Sequence, residues 1–106
     1  MRITATIVTL VATTAMVCLG ADANAGHAAY DKSCKSCHGA DGTPNPGIAK
    51  MMKVDMKDLK SADVQALSDA DIKAIIVNGK GKMPKASAVT GSAVDDVVAF
   101  VRTLKK

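Results

Sequence analysis

The chain has 106 residues, a formal net charge of +4, 48% hydrophobic residues and only 2% aromatic ones. A chain of that length holds one small domain and buries little core by itself. Its basic balance comes without the aromatic-and-basic stripe that stacks nucleic-acid bases, so nucleic acid is not an expected partner.

The first stretch reads as a leader. Met1-Arg2 is a short positive start, and Ile3 to Gly20 is apolar and free of charge. Ala23-Asn24-Ala25 is an A-x-A cleavage sequence, with Ala21-Asp22-Ala23 as a second. Together they predict a signal peptide over residues 1–25, a domain over 26–106 and a periplasmic location. No stable membrane insertion is expected after cleavage. An uncleaved anchor is the alternative, since the apolar run is near the lower length of a span. Cys18 falls inside the leader. Val17 before it is not the small residue a lipoprotein cysteine wants, so Cys18 is expected to leave with the leader.

Gly26 to Cys37 reads as the first helix, with Tyr30, Cys34 and Cys37 at helical spacing. Its end, Cys34-Lys35-Ser36-Cys37-His38, is C-x-x-C-H, the attachment sequence of c-type haem. On a helix, two thiols three apart share a face. They can add to the two vinyl groups along one porphyrin edge, and His38 is then carried under the ring toward iron, for which neutral imidazole is a good ligand. A bare C-x-x-C is also a redox dithiol or half of a zinc site. The first wants a βαβ pattern, and no strand-like run is present. The second wants two more ligands, and outside the leader the only other Cys or His is His27. His27 reads as a surface residue. A covalently held haem would also supply apolar volume that a chain with one Phe, one Tyr and no Trp lacks.

Gly39 to Gly47 is a loop dense in turn formers. A carbonyl of Pro44 or Pro46 could accept the second N–H of His38, or the prolines could be plain turn residues. Ile48 to Leu59, with Met51, Met52 and Met56, reads as a short amphipathic helix, and Ser61 to Leu67 as another short turn. Ser68 to Asn78 is clearer. Ser68 and Asp71 form an S-x-x-D cap, Ile72, Ile75 and Ile76 form the apolar stripe, and Gly79 ends it. Gly79-Lys80-Gly81-Lys82-Met83-Pro84 follows. A loop so rich in Gly and closed by Pro does not bury Met83 in a regular core, and its thioether is a soft ligand suited to haem iron. The alternative is a Met83 that covers the haem edge without bonding, with Met51, Met52 and Met56 as rival ligands. Ser92 to Lys105 is the last helix. Ser92 and Asp95 repeat the cap pattern, and Val94, Val97, Val98, Val101 and Leu104 form a long stripe beside Phe100.

These residues resemble a small bacterial class I c-type cytochrome with one haem. The likeness covers essentially residues 26–106. It is carried by Cys34-Lys35-Ser36-Cys37-His38-Gly39, by Gly79 to Pro84, and by the terminal Ala99-Phe100-Val101-Arg102-Thr103-Leu104. It implies an all-α cytochrome c fold, three to five helices wrapped around one covalently attached haem c. The first and last helices would cross near Gly26, Tyr30 and Phe100. His38 and Met83 would be the axial ligands of the iron. It further implies a monomeric electron carrier rather than an enzyme, meeting redox partners of acidic docking surface through Lys35, Lys80, Lys82 and Lys85. A haem-based sensor or peroxidase with a labile sixth ligand is the competing reading, as is an electron-transfer subunit of a larger oxidoreductase.

Overall fold

The computed structural model describes residues 21–105 and folds them into six helices. They are α1 (Ala23–Ser33), α2 (Lys35–His38), α3 (Pro46–Met52), α4 (Ala62–Gln65), α5 (Asp69–Asn78) and α6 (Ser92–Thr103). The all-α expectation is met. The helices outnumber the three to five expected because two of them, α2 and α4, are single turns of four residues. Among the described residues there is no strand, only the isolated bridge between Lys80 and Met83. No described helix is long and apolar enough to cross a membrane. Residues 1–20, most of the expected leader, lie outside the described residues.

The valine stripe of α6 makes the core. Val94, Val97, Val98 and Val101 are buried, together with Ile72 and Ile76 of α5 and Val89 of the connecting loop. Leu104, expected to end the stripe, is only half-buried, because α6 ends at Thr103. The cap expected at Ser92 is absent. Gly91, at φ 59°, is the N-cap residue and no side chain caps the helix. Backbone bonds from Ala93 N to Thr90 O and from Val94 N to Gly91 O satisfy the entry instead. At α5 the Ser68 hydroxyl does accept from Asp71 N at 3.1 Å, and Gly79 at φ 75° closes the helix.

α1 crosses α6 at Gly26. A Cβ at Gly26 would stand 1.8 Å from Asp96 O, so only glycine lets the backbones meet here. Phe100 seals the crossing, stacked on His27 at 4.4 Å and tilted on Tyr30 at 4.9 Å. α1 starts at Ala23, ahead of the expected Gly26. Asp22 is the N-cap, its Oδ1 accepting from Asn24 N at 2.9 Å, while Asp22 N donates to Asp96 Oδ1 at 2.8 Å.

Two loops depart from the sequence reading. The helix expected over Ile48 to Leu59 stops at Met52, because Lys53 turns left-handed (φ 55°, ψ 47°) and Val54 N bonds back to Ala49 O. That helix also starts earlier, at Pro46. Asn45 is its N-cap and proline fits the first position, where no N–H is needed.

The segments are tied by a few half-buried polar groups. Gln65 donates through Nε2 to Leu59 O at 2.8 Å and Val101 O at 3.0 Å. Arg102 donates to the carbonyls of Gln65 and Leu67 and pairs with Asp69 at 2.8 Å. Lys60 Nζ pairs with Asp41 and Asp58, each at 3.4 Å, and touches the Thr43 hydroxyl. The Gln65 and Arg102 bonds hold the segment around α4 against α6, and Lys60 ties that segment to the loop after His38.

Candidate functional site

The continuous helix expected over Gly26 to Cys37 breaks at Cys34. Its φ of −122° leaves the helix, and the chain restarts at Lys35 as α2. Cys34 N still donates to Tyr30 O at 2.8 Å, while Cys34 O accepts from Cys37 N at 3.3 Å and His38 N at 3.0 Å. One carbonyl therefore fixes Cys37 and His38 against Cys34. Both cysteines are half-buried and neither is in a disulfide. Burial pushes the Cys34 thiol up, and neighbouring Cys37 adds to the shift.

His38 ends α2, and Gly39 at φ 73° turns the chain away. A Cβ at Gly39 would stand 2.3 Å from Thr43 O, so the loop closes tightly here. Of the two readings of Pro44 and Pro46, a carbonyl accepting from His38 is not the one found: His38 Nδ1 is buried with no hydrogen-bond partner. Pro46 is the first residue of α3, where its carbonyl belongs to the helix ladder. Burial also lowers the His38 pKa, so the ring stays neutral and keeps a lone pair for a metal.

Asn45 is the pin that holds this loop. Its N–H donates to Cys37 O at 2.9 Å and its Nδ2 to Ser36 O at 3.3 Å. Its Oδ1 accepts from Gly47 N at 3.0 Å at the start of α3. The Asn-Pro pair at a helix entry was a legible signal for the cap. The arm to Ser36 had no sequence signal.

Tyr30 supports the other side. Its side chain is 1% exposed and its hydroxyl donates to Gly39 O at 2.7 Å, beside His38. Burial, more than the nearby Cys34 and Asp41, pushes its hydroxyl far above the ordinary tyrosine range. The native phenol therefore stays protonated where the unfolded one ionises. Stability is expected to fall as pH rises past about 10, the ordinary value. Denaturant titrations of the haem-loaded protein from pH 8 to 11 should show this slope. Tyr30→Phe should remove that part of it, and at neutral pH should cost about 1–3 kcal/mol for the unpaired Gly39 carbonyl. Since Tyr30 is the single tyrosine, its absorbance reports the ionisation directly.

The loop after α5 brings in Met83. Lys80 N donates to Met83 O and Met83 N to Lys80 O, both at 3.0 Å, closing a tight turn. A Cβ at Gly79 would lie 2.6 Å from Met83 O, so the turn needs that glycine. Ala86 N bonds Ile76 O at 2.9 Å and returns the chain to α5.

All four expected site residues, Cys34, Cys37, His38 and Met83, line one cavity of about 610 Å³. That is within the range of cofactor sites. Its floor and walls are apolar, with Tyr30 and Val97 on the crossing helices, Ile72, Ile75 and Ile76 on α5, and Met52, Val54, Met56, Leu59, Val64 and Leu67 between. Asp55, Lys57, Asp63, Lys80 and Lys82 give it charged rim groups. A side cavity of about 90 Å³ shares Cys34, Cys37, His38 and Met83. Met52 and Met56 line only the larger cavity, and Met51 is 72% exposed.

This donor set fits one kind of group. Among the described residues no cluster of three or more His, Cys, Asp or Glu side chains is placed to hold a metal ion. The paired thiols, the neutral imidazole with an orphaned buried nitrogen, the thioether and the apolar walls instead suit a flat, apolar macrocycle bearing iron.

A family model described as "Cytochrome C oxidase, cbb3-type, subunit III" matches residues 21–101. The chain belongs to that family. It is thus a c-type cytochrome, its cofactor is covalently bound haem c, and it works in haem-based electron transfer. A solved structure, the KustC0563 c-type cytochrome, is similar to it, with 30% identity and a TM-score of 0.66 over 76% of this chain and 98% of that one. Among curated proteins no match is found. The cytochrome keeps its charged groups at the cavity rim and its aliphatic ones inside.

Proposed function

We propose that this cytochrome is an exported, monomeric electron carrier of the periplasm. An N-terminal leader is removed, Cys34 and Cys37 hold the haem by thioethers, and His38 and Met83 are its axial ligands. The observation behind this reading is that these four side chains, from two distant stretches, line the same two cavities. That sharing also favours Met83 over Met52 and Met56. Haem c supplies a one-electron iron couple, and His/Met ligation sets it toward the higher potentials.

The chain's own residues do the rest. His38 is held by the Cys34 carbonyl and the Asn45 pin. The aliphatic walls exclude water and so limit rearrangement around the iron. Lys35, Lys80 and Lys85 have exposed side chains with no ion-pair partner among the described residues. Lys80 and Lys85 stand at the cavity rims, where positive charge steers an acidic redox partner. With both axial positions filled, the iron offers no site for a substrate, which favours a carrier over an enzyme.

The optical spectrum tests this. The haem-loaded protein is expected to be low-spin, to show the weak sulfur-to-iron band when oxidised, and to be unchanged by carbon monoxide when reduced. Met83→Ala should lose the band and bind carbon monoxide. Ready carbon monoxide binding by the unaltered protein would remove Met83 from its role and leave a sensor or peroxidase-like reading. The family description favours one further reading, an electron-transfer subunit within a larger oxidase assembly. Co-migration with oxidase activity in native extracts would support that over a free carrier.

A further inference from the structure

Lys82 differs from the other lysines around the cavity. Its Nζ donates to Met52 O at 2.8 Å, across a sequence gap of 30 residues. Met52 is the last residue of α3, where helix carbonyls lack intrahelical partners and the dipole is negative. An ammonium is well matched to that position. Lys82 and Met52 both line the large cavity, and they come from different segments of its wall. Lys82 is also the neighbour of Met83 in the tight Lys80–Met83 turn. The bond therefore ties the turn that presents Met83 to the end of α3.

We infer that Lys82 is a positioning residue: its bond to the Met52 carbonyl latches the Met83 loop over the haem cavity and holds the Met83 sulfur in place as the sixth ligand. The inference rests on the His38/Met83 reading above and goes beyond it. The Lys80–Met83 turn fixes the loop's internal shape, and the Ala86–Ile76 bond fixes its exit. Neither bond connects the tip of the loop to the α3 side of the cavity. Without the latch the tip can lift as a unit, turning at Gly79 and Gly81, which flank Lys80 and have no side chain to restrict their backbone angles. The thioether is a weak, neutral ligand, so lifting of the loop that carries it lets a competitor take its place.

The test uses haem-loaded wild type, Lys82→Ala, Lys82→Arg and, as a control for lost charge, Lys50→Ala, an exposed lysine that lines neither cavity. Two quantities are read: the denaturant concentration at which the ferric sulfur-to-iron band disappears, set against the loss of helical signal, and the rate of carbon monoxide binding to the ferrous form. Lys82→Ala should lose the band well before it unfolds and bind carbon monoxide about threefold to tenfold faster, the range for removing an exposed charged hydrogen bond. Lys82→Arg should restore most of the wild-type behaviour, and Lys50→Ala should match wild type. If Lys82→Ala also matches wild type, or if Lys50→Ala changes as much, the latch is overturned. A wild type without the band would overturn the His/Met reading itself and the latch with it.

Discussion

Gly26→Ala is expected to leave little folded cytochrome. The added methyl carbon would sit 1.8 Å from Asp96 O, 2.3 Å from Asp96 C and 2.9 Å from Val97 N, all backbone atoms of α6. Backbone cannot rotate away as a flexible side-chain tip can, so α1 and α6 must separate. Separation would open the packing of Phe100 on His27 and Tyr30 and expose Val97, which is 1% accessible. Overpacking at such a contact costs about 4 kcal/mol or more, against about 5–15 kcal/mol for a whole domain. Haem-loaded yield and helical circular dichroism should both collapse. Gly47→Ala in α3 is the control. A Cβ there meets only Asn45 Oδ1, at 3.4 Å, and the change should be neutral or slightly stabilising. Equal behaviour of the two variants would show that the crossing tolerates separation.

The same crossing shows what was legible in the sequence. The valine stripe of α6, the isoleucines of α5, its Ser68 cap and its Gly79 stop are local patterns, and each is found in place. The C-x-x-C-H run and the Gly-rich loop around Met83 are also local, and they meet at one cavity. What was not legible depended on single backbone choices or long-range bonds. Lys53 takes a left-handed conformation that ends α3 early, and no residue type announces it. The helix break at Cys34 is invisible to periodicity, because the i, i+3 spacing of the cysteines survives it. Ser92 and Asp95 fit a cap pattern, yet Gly91 took the position. Gln65, Arg102 and Lys82 act on carbonyls 30 or more residues away, and carbonyl positions carry no sequence signature.

Cys34→Ser with Cys37→Ser is expected to cost the protein both its haem and its fold. Without thioethers the haem should be extracted on a denaturing gel, where the wild type keeps its stain. The structural consequence follows from the cavity. Leaving about 610 Å³ unfilled costs ~15 kcal/mol at ~24 cal/mol per Å³, if the walls stay where they are. The cavity is open at its rim, so water and partial collapse absorb part of that. Even a third of it, about 5 kcal/mol, equals the whole stability of a marginal domain. With so few aromatic side chains, the walls have little bulk with which to close the gap. The helices around it, short as α2 to α4 are, do not persist alone in water. The apoprotein should therefore show much reduced helical dichroism and no cooperative melt, with both regained only when haem is held. A helical double variant with a sharp transition would mean instead that α1, α5 and α6 form a self-sufficient core and that the haem is cargo rather than part of the fold.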